Sequence, residues 1–170
     1  MGDSHVRRIG AFGDLLHTKL NRGEVSVSFS HRGGAGLNFV INNLEQARGF
    51  DILVIMAGGN DLTRGAKIPY FQQTYDTIEE TARELGVQQV IITSFWPRRA
   101  PSYNQMAREH HEYFEDHYIA NRLMTFWSWD RRQSFRTFDG VHLEQKGYQK
   151  AIKYLIAPIL WAIKHLEREG

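Results

Sequence analysis

The sequence predicts an α/β fold, a parallel sheet with helices on both faces. Three observations carry this. Segments with helical periodicity alternate with strand-like segments along the chain. The strand-like segment at 51–57 is a continuous apolar run after Asp51, as expected of a parallel strand buried on both faces, and 87–94 reads as the next buried strand. Glycines or a proline follow these runs, where a chain leaving a sheet needs turns. With 170 residues the chain is long enough for one domain with a substantial core and short for two.

The elements follow in order. Ile9, Phe12, Leu16 and Leu20 lie at helical spacing, which predicts a helix over about 6–20, stopped by Asn21-Arg22-Gly23. Val25, Val27 and Phe29 alternate with Ser26, Ser28 and Ser30, which predicts a strand. Gly33-Gly34-Ala35-Gly36 reads as a loop, and Leu37, Val40, Ile41 and Leu44 as one face of a short helix. After the strand at 51–57 comes a helix over about 70–85, with Phe71, Tyr75, Ile78, Ala82 and Leu85 on one side and Gly86 as its stop. Phe95-Trp96-Pro97 ends the strand at 87–94. A helix is expected over 102–120, irregular near its histidines, then a last strand at 123–127. A long helix over 144–167 closes the chain, with a kink expected at Pro158, which lacks an N–H and crowds the preceding turn.

Composition excludes several function classes. There is no cysteine, so disulfides, cysteine-ligated zinc and a thiol nucleophile are ruled out. Lysine and arginine number 21 against 19 aspartates and glutamates, a formal charge of +2. That is too small to argue by itself for a nucleic-acid or membrane partner. No apolar run has the length of a membrane span, and no apolar signal region opens the chain, so it reads as cytoplasmic.

Three short motifs, far apart, carry chemistry. They are Gly2-Asp3-Ser4-His5, Gly58-Gly59-Asn60-Asp61 and Asp139-Gly140-Val141-His142. Serine is a weak nucleophile unless a base takes its proton. Ser4 leads into a helix, whose first N–H groups favour anionic charge, although Asp3 or Ser4 also suits a plain N-cap. Asp139 and His142, three positions apart, suit a carboxylate that fixes an imidazole's tautomer so that its other nitrogen serves as base, or else a loop aspartate beside a surface histidine. Asn60 follows a buried strand, at the end where open parallel sheets bind ligands, and its amide suits an oxyanion donor. Its surroundings also suit an ordinary turn. The glycines at 33–36 match neither a phosphate-binding loop nor a dinucleotide fingerprint, so no nucleotide cofactor is expected.

These residues resemble the SGNH hydrolase superfamily, the GDSL-type esterases and lipases, whose four blocks carry Ser, Gly, Asn and His. Gly2-Asp3-Ser4 resembles the first block, Arg32-Gly33-Gly34-Ala35-Gly36 the looser second, Gly58-Gly59-Asn60-Asp61 the third and Asp139-Gly140-Val141-His142 the last. The resemblance spans nearly the whole chain. It implies a three-layer α/β/α sandwich of flavodoxin-like type and ester hydrolysis through an acyl-enzyme. It implies Ser4 as nucleophile, His142 as base and Asp139 as its partner. Oxyanion donors would be the N–H groups of Ser4 and Gly36, with Gly34 in reserve, and the side chain of Asn60. No cofactor or metal is implied. The expected substrate is a small-molecule, lipid or carbohydrate ester, with a preference for a short acyl group such as acetyl.

One departure is plain. In this family a central strand delivers the serine, yet only three residues precede Ser4. The first strand is therefore expected to be missing, its neighbours to lie unpaired, and residues 1–170 to be a single domain trimmed from a longer protein. That departure and the arginines Arg7, Arg8, Arg64, Arg98 and Arg99 support an alternative, a non-catalytic binding or assembly module associated with nucleic acid. The same arginines suit an anionic substrate if they ring the site, or a solvated surface. His110, His111 and His117 lack the carboxylate spacing of a metal motif and read as structural. Trp96, Trp127, Trp129 and Trp161 read as core or rim packing.

Overall fold

The computed structural model describes residues 1–10, 27–117, 124–127 and 137–169. Its sheet holds β1 (Ile52–Ile55), β2 (Gln89–Thr93) and β3 (Met124–Trp127), side by side in that order and parallel throughout. Ile52 pairs with Gln89 and Val90 with Met124. Every residue of β2 is buried, as a middle strand covered on both faces must be.

Helices cover both faces. Successive strand residues point to opposite sides, so Leu53 and Ile55 of β1 enter one core while Val54 meets the other. On the first side lie α2 (Leu37–Asn43) with the 3-10 turn after it at Leu44–Ala47, α4 (Ile68–Glu84) and α5 (Pro101–His117). Their Leu37, Val40, Phe71, Tyr75, Ile78 and Phe114 pack on Val90 and Ile92. The other side holds α1 (Ser4–Gly10) and α6 (Gln145–Glu169), whose Val6, Ile9, Ala151, Ile152 and Leu155 pack with Met56 and Trp96. The result is the three-layer α/β/α arrangement. Pro69 sits in the first turn of α4, where its missing N–H has no helical partner to lose. Gly86, at φ 83°, ends the helix: its N–H reaches Arg83 O and that of Val87 reaches Ala82 O.

The expected gap at the first strand is bridged by a two-residue stub. Gly2 pairs in parallel with His31 on one side and with Met56 on the other. Gly2 N–H donates to Ser30 O at 3.0 Å, Arg32 N–H to Gly2 O at 3.1 Å, Met56 N–H to Met1 O at 3.0 Å and Asp3 N–H to Met56 O at 3.2 Å. A Cβ on Gly2 would lie 2.0 Å from Met56 O, so only glycine fits. The neighbours are thus partly paired, which corrects the expectation that they lie unpaired. The strand expected at 25–30 is corrected too. Residues 27–30 form no ladder, and only His31 bridges Gly2, because so short a stub pairs with no more of the chain. Val25 and Ser26 lie outside the described residues, as do Phe12, Leu16, Leu20, the stop at Asn21-Arg22-Gly23, and Leu123.

One further difference concerns a helix. Gly59–Thr63 forms a short helix, α3, where the residues taken alone favour an ordinary turn. The last helix, α6, contains Pro158.

Candidate active site

The stub, β1 and β2 run parallel, so the residues after each of them gather at one edge of the sheet. Ser4 is the first residue of α1, directly after the stub. Asp3 Oδ1 accepts the His5 N–H at 2.9 Å, an N-capping bond that sets the helix start. From the far end of the chain comes the loop at 138–142, closed by Phe138 N–H donating to His142 O at 3.1 Å and turned at Gly140, whose φ is 87°.

Ser4 Oγ lies 2.6 Å from His142 Nε2, and His142 Nδ1 lies 2.5 Å from Asp139 Oδ2. The other carboxylate oxygen of Asp139 accepts the N–H groups of Val141 at 2.9 Å and His142 at 2.6 Å. The bond to the His142 ring, then that to its backbone N–H, holds the Asp139 carboxyl well below the usual carboxylate range. A carboxylate only accepts, so the ring hydrogen sits on Nδ1 and the Nε2 lone pair faces the Ser4 hydroxyl.

Asn60 stands in the first turn of α3. Its Nδ2 donates to Ala35 O at 2.9 Å, and its Oδ1 accepts from Arg98 Nη2 at 3.2 Å. Arg98 Nη1 also donates to Thr63 Oγ1 at 2.8 Å. The next residue, Asp61, is buried and accepts the Leu37 N–H and the Tyr70 hydroxyl, both at 2.9 Å. Asn60 and Asp61 therefore clamp the glycine loop on either side of Gly36. A Cβ on Gly36 would come within 2.6 Å of Asp61 Oδ1. Gly34 is exposed, and its carbonyl accepts from Arg64 Nη2 at 3.0 Å.

The coordinates thus bring Ser4, Asp139 and His142 into direct contact and join Asn60 to the loop that holds Gly36. They also reveal two residues that sequence reading passed over. His5 and Tyr148 are both buried, with His5 Nδ1 2.9 Å from the Tyr148 hydroxyl. That hydroxyl also accepts the Leu143 N–H at 3.2 Å. Burial, then the neighbouring His142, Arg98 and Arg8, push His5 down to about 3, so the ring is neutral. Burial pushes Asp3 up to about 6, against the His5 N–H and Arg98. Asp3 and His5 line a small pocket with Gly59, Ser94, Arg98 and Tyr103. The one signal in the sequence was adjacency: His5 follows Ser4, and Tyr148 sits on the apolar face of the helix after His142.

Among the arginines, Arg8, Arg64, Arg98 and Arg99 meet residues of the four motifs or their neighbours, whereas Arg7 is exposed on α1. His110 is buried among Phe71, Phe95 and Phe114, with its Nε2 2.9 Å from the Tyr75 hydroxyl, and His111 lies 3.6 Å from Glu115. Trp96 is core and Trp161 is exposed. The side chains of His117 and Trp127, and all of Trp129, lie outside the described residues. Among the described residues no group of three or more His, Asp or Glu side chains is arranged to hold a metal ion. No helix among them is long and apolar enough to cross a membrane.

The sequence model of the GDSL-like Lipase/Acylhydrolase family matches residues 1–150. No curated protein matches the chain. Solved structures similar to it include a carbohydrate esterase family 3 protein from Talaromyces cellulolyticus, at 15% identity and TM-score 0.74, covering 97% of this chain and 96% of that one. A lipolytic protein of the G-D-S-L family from Desulfitobacterium hafniense is similar at 14% identity and TM-score 0.73, with 92% and 95% covered. A mutant acetyl esterase solved with acetate ion is similar at 14% identity and TM-score 0.71, with 98% and 97% covered. At these identities the likeness is one of fold.

Proposed function

Because the chain belongs to the GDSL-like lipase/acylhydrolase family, we propose that it is a serine esterase that cleaves carboxylic esters through an acyl-enzyme. The observation that carries this reading is the unbroken line from Ser4 Oγ to His142 Nε2 at 2.6 Å and from Nδ1 to Asp139 at 2.5 Å. Ser4 Oγ attacks the ester carbonyl while its proton passes to His142 Nε2. Asp139 keeps the ring in the needed tautomer and balances the imidazolium. Collapse of the tetrahedral intermediate breaks the bond to the alcohol oxygen, which takes the proton from Nε2. Water then attacks the acyl-enzyme, giving its proton to Nε2 and releasing the acid and free Ser4.

The oxyanion is held by the backbone N–H groups of Ser4 and Gly36 and by the amide of Asn60. Gly36 is favoured over Gly34 because it lies between the two points where Asn60 and Asp61 grip the loop, while Gly34 is exposed. Asn60 has two amide hydrogens, and the one beyond Ala35 O is left for substrate. A short acyl group such as acetyl is the preferred substrate. The three fold relatives described above include an acetyl esterase and a carbohydrate esterase, which lends support to that choice.

The test is hydrolysis of p-nitrophenyl acetate together with labelling by a fluorophosphonate. Both are expected in the parent chain and neither in Ser4→Ala. Labelling that persists in Ser4→Ala sinks the assignment. A folded, inert chain that binds nucleic acid in a salt-sensitive way would favour a binding module instead.

A further inference from the structure

The wall beside His142 differs from the rest of the site mouth. Phe138 is 54% exposed, and its ring stacks nearly parallel to the His142 imidazole, with centroids 5.9 Å apart and planes 21° from parallel. The guanidinium of Arg8, one helical turn after Ser4, lies 4.8 Å from the centre of the Phe138 ring. On the loop between Asp139 and His142, Gly140 faces Arg99: the Arg99 N–H donates to Gly140 O at 2.9 Å, and a Cβ on Gly140 would lie 3.7 Å from Arg99 Cβ and 3.8 Å from its Nη1.

Among the described residues, the ion pairs are Arg48–Glu45, Arg83–Glu79, His111–Glu115 and His142–Asp139, and none involves Arg8 or Arg99. Asp139, on the same loop as Phe138 and Gly140, is already committed to the His142 ring and to two backbone N–H groups. With a formal charge of only +2, the chain has no general excess of cations to explain this local one. Arg64 and Arg98 differ, since both are tied to the glycine loop and Asn60.

We propose that this corner, Phe138 with Arg8 and Arg99, is the leaving-group subsite, and that it selects esters whose alcohol carries an anionic group on a flat apolar body. The inference rests on the esterase reading. His142 Nε2 must hand its proton to the departing oxygen, so the alcohol leaves on the imidazole side of the site, where Phe138 stacks on that ring. The apolar body lies on the Phe138 face, and its charge meets the two guanidinium groups. Product release follows from the same geometry: the acyl group stays bonded to Ser4 while the alcohol departs past Phe138, and the acid leaves only after water has attacked the acyl-enzyme.

The experiment uses the full chain and three acetate esters: phenyl acetate, 4-acetoxybenzoate and 4-acetoxyphenyl-trimethylammonium. Each kcat/KM is divided by the ester's own rate of hydroxide hydrolysis, which removes the effect of leaving-group acidity. At about 0.01 M salt the anionic ester is expected to lead the neutral one by roughly tenfold, with the cationic ester last. Near ~1 M salt, where screening acts within about 3 Å, the order should flatten. Arg8→Gln and Arg99→Gln should each reduce the anion-to-neutral ratio about threefold, and the double variant should erase it. Three esters hydrolysed alike by a chain whose Ser4, in a parallel sample, takes the fluorophosphonate label would overturn the subsite alone. So would a cationic preference, or a ratio that ignores salt and the double variant. Absence of both label and hydrolysis overturns the esterase reading and the subsite with it.

Discussion

His5 and Tyr148 join the neighbours of Ser4 and His142. The Tyr148 hydroxyl lies 2.9 Å from His5 Nδ1, beside Ser4, and accepts the Leu143 N–H, beside His142, at 3.2 Å. This strut runs alongside the Ser4–His142 bond and limits how far the two can drift apart. Tyr148→Phe keeps the ring and removes the link. We expect kcat to fall about tenfold or more with little change in KM, and stability to drop by about 1 kcal/mol. Steady-state kinetics and denaturant unfolding check this. Unchanged kcat in a destabilised variant would reduce the strut to a packing role.

Asp139→Asn should leave the fold intact and lower kcat, because an amide can donate to Nδ1 and favour the wrong tautomer of His142. The loss expected lies between about 10² and 10⁴, toward the smaller figure because the Asp139 side chain is 38% exposed and water can replace part of its effect. Comparison of kcat in the parent and variant chains decides it. An unchanged rate would remove Asp139 from the mechanism.

Asn60→Ala should cost both chemistry and stability. Loss of one oxyanion donor lowers kcat about 10²- to 10³-fold. The same change strips partners from Ala35 O and Arg98, which a thermal melt should report as a lower midpoint. A variant with a normal rate would show that the amide serves only to hold the glycine loop.

Stability should fall as pH drops from about 6.5 toward 3. Burial pushes both His5 and His110 down to about 3, so the unfolded chain takes up two protons in this window that the folded chain refuses. Asp3 acts oppositely: its folded carboxyl, raised to about 6, takes a proton that an unfolded aspartate takes only near 3.8. Two histidines outweigh one aspartate, so the net slope is destabilising on acidification. Calorimetric midpoints against pH, in the parent and in His110→Gln, test the sign. The variant should show a shallower slope whatever its absolute stability.

Gly2→Ala should be among the most damaging single-atom-scale changes in the chain. Its Cβ would sit 2.0 Å from Met56 O, forcing the stub away from the sheet and moving Ser4 with it. We expect a loss of about 1–3 kcal/mol or more, with activity falling further than the folded fraction alone explains. Equal losses of fold and activity would mean that the stub does not position Ser4.

What could be read in advance followed from local signals. The apolar run at 51–57 needed only burial on both faces to be seen as a strand, and the motifs around Ser4, Asn60 and His142 keep their chemistry within a few positions. Legibility ended where a structure depends on distant partners. A two-residue stub has no periodicity, so Met1 and Gly2 gave no strand signal, yet the backbone groups of residues 30, 32 and 56 complete it. Gly59–Thr63 is rich in turn formers, and it is helical in a setting where Asp61 answers the Leu37 N–H and Asn60 the Ala35 carbonyl. The His5–Tyr148 bond spans 143 positions, and no pattern in either segment announces it.

Ser4 and His142 both adjoin the core that α1 and α6 make against one face of the sheet, through Val6 and Leu143, while Val90 and Ile92 of β2 and the helices of the opposite face belong to a separate core. Heating should therefore inactivate the chain before it melts it. Once α6 loosens, the hydroxyl and the imidazole part company while most of the sheet remains, so turnover should vanish several degrees below the loss of far-ultraviolet dichroism.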